Sequence, residues 1–436
     1  MARVVVVGGG YGGMASAARL AKLGHAVTLL EQGPALGGAL GRVVRDEFAW
    51  DTGATATLLP AVARDLFRKS GRPLERELEL VHRDVVREHW FADGTRLMLP
   101  GSSREAQLHA VDALGPGLGE AWLAHVAAYA DDWEMLRREY LERPWDPDVI
   151  STETRKRVLT RESLHRRLRR ALPDARLRQV AAHPLEAEGH VLRQVPAWAG
   201  VTAYLEQRFG VWTIPAEAGG MAALGTALAA RLTTRKVEVR TGVAVRDVVV
   251  REGRAVAVAT DDGEVDADVV VCAIDPRRLP ALAAHVRRTL PTMPAVAVHL
   301  GVEGDVPDLG PETVVHGDAD FTVTTGGLAP AGAHAWTVRG RGRLHEDVVD
   351  ALARTGLDVR KQVVRRVDDS PRDQVERWGG SPWGVLWQGR ATVTERLGPR
   401  TPVPGVYAAG ASATPGAGLP YVGLSAALVA QVVGPA

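Results

Sequence analysis

The sequence contains almost no cysteine, and its basic and acidic residues nearly balance. Cys272 is the single cysteine, so an intramolecular disulfide and a cluster of metal-binding thiolates are both excluded. Cys272 lies in an apolar run, where we expect a buried strand thiol and no metal site. The net charge is only +1, which indicates no general attraction to nucleic acid.

Lysine and asparagine are also scarce: 5 of the 53 basic residues are lysines, and asparagine does not occur. Since arginine is abundant along the whole chain, the presence of an arginine at one position says little about phosphate binding there.

The sequence also lacks a long hydrophobic run. Residues 406–436 carry no charge, but Pro415, Pro420 and several glycines interrupt them before a membrane-spanning length is reached. We therefore predict a strand at 405–409, a glycine- and proline-rich turn, and a buried helix over 422–433. The first apolar run has the length of a strand and not of a signal peptide, and we expect a cytoplasmic protein.

The N-terminus contains the most informative motif. An apolar strand at 4–7 runs into G-x-G-x-x-G at Gly8, Gly10 and Gly13, a helical pattern follows, and a second strand ends at Glu31. In such a unit the first glycine allows a tight turn, the second lets the backbone approach a pyrophosphate, and the third lets helix and strand pack closely. The helix N-terminus favours the pyrophosphate, and the acid can accept hydrogen bonds from the ribose. The motif predicts a Rossmann-type site for a dinucleotide.

A chain of 436 residues predicts two domains. Gly-rich apolar stretches alternate with charged ones, and this alternation predicts an α/β nucleotide domain with a parallel sheet built from the discontinuous segments 1–62, 211–290 and 400–436. An inserted α+β substrate domain would comprise 63–210, which looks mostly helical, and 291–399. Within 236–275 the pattern predicts a β-hairpin around Gly253 followed by a returning parallel strand.

Segment 155–178 is strongly basic, with ten basic and two acidic residues and apolar residues at helical spacing between them. A basic amphipathic helix of this kind can lie on an anionic membrane surface. A solvated helix face in an arginine-rich protein is the other interpretation, and the sequence leaves both open.

Several separated segments together resemble one family. They are the N-terminal motif with Glu31, Leu36-Gly37-Gly38, the stretch 48–55, Ile214-Pro215 with Gly219-Gly220-Met221, the stretch 267–276, and the run 405–420, which contains Thr-Pro-Gly-x-Gly-x-Pro. In these segments the chain resembles the phytoene desaturase family of FAD-dependent oxidoreductases, within the flavin amine oxidase group. The resemblance covers about half of the chain and leaves 65–210 and 300–375 unmatched.

The resemblance implies an FAD cofactor and a set of residues that contact it. One departure is Gly410-Ala411-Ser412, where many flavoproteins carry an acid after the glycine. The helix after Pro420 would direct its N-terminus at the flavin and favour negative charge on the reduced ring. The implied FAD-binding residues are Gly8, Gly10, Tyr11, Gly12, Gly13, Glu31, Gly37, Gly38, Asp51, Gly53, Ala54, Thr55, Val243, Gly410, Ala411, Gly418, Leu419 and Pro420.

The expected activity is the desaturation of an apolar polyene or isoprenoid-like substrate by hydride transfer to the flavin. Two alternatives stay open: an amine oxidase-type oxidase acting on a small amine or natural-product intermediate, and a non-redox flavin-dependent isomerase. A second nucleotide motif is absent, so we expect electrons to leave to oxygen, a quinone or another acceptor.

No residue pattern identifies a catalytic acid or base. His299, His316 and Tyr421 are candidate proton carriers, each with a structural role as the alternative. Candidate walls of an apolar substrate slot are Trp198, Tyr204, Trp212, Trp383 and Trp387.

Overall fold

The structure is a computed structural model that describes residues 1–146, 148–342 and 344–436. Within these residues the strands are β1 (Arg3–Val7), β2 (Ala26–Glu31), β3 (Arg42–Arg45), β4 (Phe48–Asp51), β5 (Val81–His82), β6 (Val85–Trp90), β7 (Arg96–Pro100), β8 (Trp212–Thr213), β9 (Glu238–Thr241), β10 (Val245–Arg251), β11 (Arg254–Thr260), β12 (Gly263–Asp266), β13 (Val269–Cys272), β14 (Val296–Glu303), β15 (Glu312–Val315), β16 (Ala319–Thr324), β17 (Ala333–Gly342), β18 (Val363–Asp369) and β19 (Val406–Ala408). The α-helices are α1 (Tyr11–Lys22), α2 (Pro60–Ser70), α3 (Arg104–Asp112), α4 (Leu118–Ala127), α5 (Ala130–Leu136), α6 (Thr152–Val158), α7 (Leu164–Ala171), α8 (Ala175–Ala187), α9 (Thr202–Phe209), α10 (Ala222–Thr234), α11 (Pro280–Ala283), α12 (Val348–Arg354), α13 (Pro371–Trp378), α14 (Ala391–Glu395) and α15 (Leu419–Val433).

A five-stranded parallel sheet joins the two ends of the chain to its middle. Its strand order is β19-β13-β1-β2-β9, and Val4–Val7 of the central strand pair with Val269–Cys272 on one side. The central strands β1 and β13 are continuous apolar runs because helices α1, α10 and α15 cover one face of the sheet and the small sheet β10–β12 covers the other. Cys272 is buried in this sheet, as the sequence predicts. All five strands come from 1–62, 211–290 and 400–436, so the predicted α/β fold with a discontinuous parallel sheet is confirmed.

The hairpin predicted around Gly253 is also present. Strands β10 and β11 pair antiparallel on either side of this glycine, and β12 adds a third strand before the chain returns to the parallel sheet as β13. Gly253 has φ +75°, a conformation that an L side chain rarely adopts.

A second, seven-stranded sheet is formed by segments that do not contribute to the parallel sheet. Its order is β18-β14-β17-β16-β15-β6-β7, so strands from 291–399 join two strands from 63–210. Segment 63–210 is mostly helical, as the sequence predicts, but it also contains the unpredicted strands β5, β6 and β7. Strand β6 was missed because Arg87, Glu88 and His89 interrupt its apolar pattern, although all three side chains are buried.

Segment 155–178 forms α6, α7 and the start of α8, and not one long helix. Ser163 and Asp174 begin new helices, because their side chains accept hydrogen bonds from the backbone N–H groups of Arg166 and Arg176. The apolar side chains of Val158, Leu164, Leu168 and Leu172 are buried in the protein core. The apolar stripe is thus already covered, and the exposed surface of the segment is mainly basic.

The C-terminal helix α15 starts three residues earlier than predicted, at Leu419. Pro420 does not delay it, because proline fits the first turn of a helix, where its missing N–H has no intrahelical partner. The helix packs against α1 and α2, beside the parallel sheet. Among the described residues, no helix combines the length and the apolar character that crossing a membrane requires.

Candidate functional site

The three glycines of the N-terminal motif occupy three different environments between β1 and α1. Gly8 has φ +103°, which makes the turn. A Cβ on Gly13 would lie 1.8 Å from the Gly8 carbonyl oxygen. Helix α1 and strand β1 could therefore not pack this closely if residue 13 had a side chain. A Cβ on Gly10 would meet none of the described atoms within 4 Å. Gly10 therefore faces open space at the N-terminus of α1, where a pyrophosphate can approach the backbone.

Glu31 ends β2 beside this loop. One carboxylate oxygen accepts a hydrogen bond from the Gly9 N–H at 2.6 Å, and the other accepts one from the Gly33 N–H at 2.7 Å. A carboxylate has about four lone-pair sites, so each oxygen can still accept a ribose hydroxyl. The Val243 N–H donates to the backbone carbonyl of Glu31 at 2.9 Å, which places Val243 next to the same position.

These residues line a cavity of about 410 Å³, the cofactor cavity. The Gly37 N–H donates to the Gly9 carbonyl at 2.9 Å, and a Cβ on Gly38 would lie 3.1 Å from Gly10 Cα, so the 37–38 pair closes tightly over the loop. The predicted FAD-binding residues that line this cavity are Gly8, Gly10, Tyr11, Gly12, Glu31, Gly37, Gly38, Gly53, Ala54, Val243, Gly410, Ala411, Gly418 and Leu419.

The remaining four predicted FAD-binding residues lie elsewhere. Gly13 packs under the loop. Asp51 is buried outside the cofactor cavity, where its carboxylate accepts hydrogen bonds from the Met221 N–H and from Arg42. Thr55 and Pro420 line a second, neighbouring cavity.

The last wall of the cofactor cavity is formed by the end of β19 and the start of α15. The Gly410 N–H donates to the buried Ser425 hydroxyl at 2.9 Å, which ties the strand end to the helix. A Cβ on Gly12 would lie 2.8 Å from Gly410 Cα, so the N-terminal loop and this strand end are in direct contact. Helix α15 directs its N-terminus, with unpaired N–H groups, towards the cavity from Gly418 and Leu419.

The second cavity, the substrate cavity, has a volume of about 530 Å³. Much of its wall is apolar and aromatic, with Tyr140, Trp198, Val385, Trp387 and Tyr421 among its residues. The two cavities adjoin, because they share part of their walls. The shared residues are Gly53, Ala54, Ala187, Ala295, Arg339, Trp383, Gly418 and Leu419.

Three of the five aromatic residues predicted for a substrate slot line the second cavity or the wall that it shares with the first. Trp198 and Trp387 lie in the substrate cavity with their rings edge to face at 5.4 Å, and Trp383 lies on the shared wall. Tyr204 packs against the helical core. Trp212 packs against His82 and lines neither cavity.

The three candidate proton carriers lie in different places. His299 is buried in the seven-stranded sheet and bonded to the Thr337 hydroxyl, and burial lowers its pKa to about 3. His316 is buried against His89, with 2.9 Å between their ring nitrogens. Neither histidine lines either of the two cavities, whereas Tyr421 lines the substrate cavity, and burial raises the pKa of its hydroxyl. Of the three, only Tyr421 is placed to meet a ligand.

Arg339 is a residue that the sequence did not identify. It lies on the wall shared by the two cavities, where it donates to the Gly53 carbonyl at 3.1 Å. Burial lowers the pKa of its guanidinium. Because arginine is abundant in the sequence, a single arginine gives no signal of a site. Strand β17, which carries Arg339, also lies in a region without a recognisable motif.

Comparisons with known proteins agree with this geometry. The family described as flavin containing amine oxidoreductase matches residues 11–434. A hydroxyneurosporene desaturase from Cereibacter sphaeroides is 30% identical, over 99% of this chain and 97% of its own length. A 4,4'-diapolycopene oxygenase from Methylomonas is 27% identical, over 98% and 97%. The solved structure of a putrescine oxidase redesigned in its cofactor binding shares the fold, with a TM-score of 0.72 at 16% identity, over 99% of this chain and 98% of that one.

The residues present fit FAD. The open position at Gly10, the acid at the end of β2 and the helix N-terminus of α15 provide what the pyrophosphate, the ribose and a reduced flavin ring each require. The cofactor is FAD, and the protein is an FAD-dependent oxidoreductase. The chain belongs to the flavin containing amine oxidoreductase family.

Proposed function

We propose that the protein dehydrogenates an apolar polyene or isoprenoid-like chain that enters the substrate cavity. The observation that carries the proposal is the shared wall, which brings an aromatic-lined cavity into contact with the cofactor cavity. Two relatives at 27% and 30% identity are named as enzymes acting on compounds of the carotenoid type, which supports the same substrate class.

The reaction removes two hydrogens from adjacent carbons. Two C–H bonds break, a C=C bond forms, one hydrogen leaves as a hydride and the other as a proton. FAD supplies the hydride acceptor when it is bound. An external acceptor, oxygen or a quinone, then takes up the two electrons.

The residues of this chain position the substrate and exclude water. Arg339 is the single titratable side chain that the described residues place on the shared wall. Its guanidinium is a poor base, so we expect positioning by Trp383 and the aromatic residues of the substrate cavity to matter more than a dedicated base.

Product analysis tests this function. Holoenzyme, a polyene and a quinone or oxygen are incubated, and the products are examined by mass spectrometry. Loss of two hydrogens per turnover is expected. A product that has gained oxygen, or an isomer of unchanged mass formed without net reduction of the acceptor, would contradict the proposal.

Amine oxidation is a second candidate, because the substrate cavity also carries acids. Glu186, Glu188, Asp318 and Asp320 line it and would attract a cation. Incubation with putrescine and other amines decides between the two: hydrogen peroxide formed with amines and not with polyenes would favour the amine oxidase.

Contact with a membrane would give access to an apolar substrate. Since the apolar stripe of 155–178 is buried, we propose a purely electrostatic contact through its exposed basic residues. Co-sedimentation with anionic vesicles tests it. Binding should disappear at high salt and in a variant with Arg155, Arg161, Arg166 and Arg169 changed to glutamine, and binding that survives both would contradict an electrostatic contact.

A further inference from the structure

Arg396 differs from the other deeply buried arginines of the protein. Four arginines among the described residues are more than nine-tenths buried, namely Arg19, Arg87, Arg231 and Arg396. Arg19 pairs with Asp65, Arg87 with Glu206 and Glu312, and Arg231 with Glu77. Within the described part of the chain, Arg396 forms no ion pair with a carboxylate.

The hydrogen bonds of Arg396 are to neutral carbonyl groups. Its guanidinium donates to the Pro415 carbonyl at 2.6 Å and to the Val385 carbonyl at 3.3 Å, and it lies 5.0 Å from the centre of the Trp387 ring. Its Nε has no hydrogen-bond partner among the described residues. Burial lowers its pKa, and Glu188 acts on it through space without pairing with it. A buried cation without a counter-ion is unfavourable, so an anion at this position would be stabilised.

Tyr140 supplies a second polar group at the same place. A π-helical turn, Arg137–Leu141, follows α5 and carries Tyr140, which is 1% exposed. Burial raises the pKa of its hydroxyl, and the adjacent Arg396 opposes this rise through its charge and through hydrogen bonding. Turns of this kind occur often at functional sites.

Both side chains line the substrate cavity and neither lines the cofactor cavity. Their surroundings are aromatic: Tyr140 packs edge to face on Trp198 at 5.7 Å, and Trp198 packs on Trp387. A hydrocarbon could fill this space, but it would leave the buried guanidinium without an anionic partner.

We propose that Arg396 and Tyr140 bind the carboxylate of a substrate whose remaining chain is apolar. The inference rests on the proposed function and makes it more specific: the substrate is an isoprenoid-type acid, and not a pure hydrocarbon. The guanidinium of Arg396 pairs with the carboxylate, the adjacent Tyr140 hydroxyl supports this pairing, and the aromatic walls hold the chain.

Binding measurements on the reduced holoenzyme test this, because reduced FAD cannot oxidise the ligand during the measurement. The probes are farnesoic acid and its methyl ester, titrated calorimetrically under anaerobic conditions. The acid should bind the wild type about 10- to 100-fold more tightly than the ester, as expected for hydrogen bonds to charged groups. Equal affinity for acid and ester would overturn the proposal.

Variants separate ligand binding from a structural role. Arg396→Met should remove the preference for the acid and leave the affinity for the ester unchanged, whereas Arg396→Lys should retain part of the preference. Because Arg396 also holds the 415 loop, FAD content and thermal stability are measured for each variant. Tyr140→Phe removes only the hydroxyl beside Arg396 and keeps the ring that packs on Trp198, so it should fold normally and reduce the preference several-fold. An unchanged preference in a folded Arg396→Met or Tyr140→Phe variant would contradict the assignment.

The failure of the carboxylate site and the failure of the proposed function can be distinguished. If oxidised holoenzyme dehydrogenates a neutral polyene while the acid shows no preferential binding, the carboxylate site is wrong and the proposed function stands. If the acid binds preferentially and no apolar chain is ever dehydrogenated, the proposed function fails.

Discussion

At the scale of single residues, Gly10 and Gly13 should respond differently to an added side chain. Gly10→Val points into the cofactor cavity without meeting a described protein atom, so we expect a folded protein that retains no FAD. Gly13→Ala places a methyl group 1.8 Å from the Gly8 carbonyl, so we expect a protein that is destabilised or does not fold. Flavin content and circular dichroism distinguish the two outcomes. A Gly10→Val protein that keeps its flavin would contradict the assigned position of the pyrophosphate.

Glu31 binds the Gly9 and Gly33 N–H groups and is the proposed acceptor for the ribose, and substitutions can separate these two roles. Glu31→Ala removes the acceptor for the ribose and also frees the Gly9 and Gly33 N–H groups, and it should weaken FAD binding by about 1–3 kcal/mol. Glu31→Gln keeps one acceptor oxygen and should cost less. Glu238→Gln, on an exposed acid of the neighbouring strand, is the control. FAD dissociation constants measured after reconstitution of the apoprotein check the order, and a Glu31→Ala value equal to that of the wild type would exclude a ribose contact.

At the scale of elements, the junction of β19 and α15 depends on one hydroxyl. Ser425→Ala leaves the buried Gly410 N–H without its acceptor, so we expect the free energy of unfolding to fall by about 1–3 kcal/mol and FAD affinity to fall with it. Ser16→Ala is a matched control, because Ser16 is equally buried but bonds only within its own helix. Urea denaturation of both variants measures the difference. Equal losses for the two would show that the hydroxyl is not needed at this junction.

The elements also show what a sequence can and cannot predict. The β1–α1–β2 unit and the Gly253 hairpin were predictable because glycines at turns and apolar periodicity are local signals. Strand β6 was not, since Arg87 becomes compatible with burial only through Glu206 and Glu312, which lie far away in sequence. The glycines and Glu31 of the cofactor cavity could be predicted for the same local reason. Arg339 and Arg396 could not be predicted, because residues distant in sequence form the cavity that they line.

At the scale of the whole molecule, we expect the buried histidines to lower the free energy of unfolding in mild acid. Burial lowers the pKa of His125 to about 4 and that of His299 to about 3, and it also lowers the pKa values of His89 and His183. These side chains stay neutral in the folded protein, whereas the unfolded chain takes up protons below about pH 6.5. The free energy of unfolding should therefore decrease as the pH falls from 7 to 5, by up to about 1.4 kcal/mol per pH unit for each histidine.

Denaturation curves measured between pH 5 and 8 check this dependence on pH. His299→Gln removes one of the buried groups and should make the dependence shallower, whereas the same change at the exposed His109 should leave it unaltered. A free energy of unfolding that stays constant or rises towards pH 5 would show that the buried histidines do not control the acid stability.

We infer that the discontinuous parallel sheet holds FAD against a cavity for an apolar chain. Anaerobic titration of the purified holoenzyme with a polyene, followed in the visible flavin absorbance, tests it most directly. We expect the polyene to bleach the flavin absorbance, and we expect the absorbance to recover when oxygen or a quinone is admitted. A flavin that stays oxidised with every polyene, or a protein that is colourless and does not take up added FAD, would contradict it.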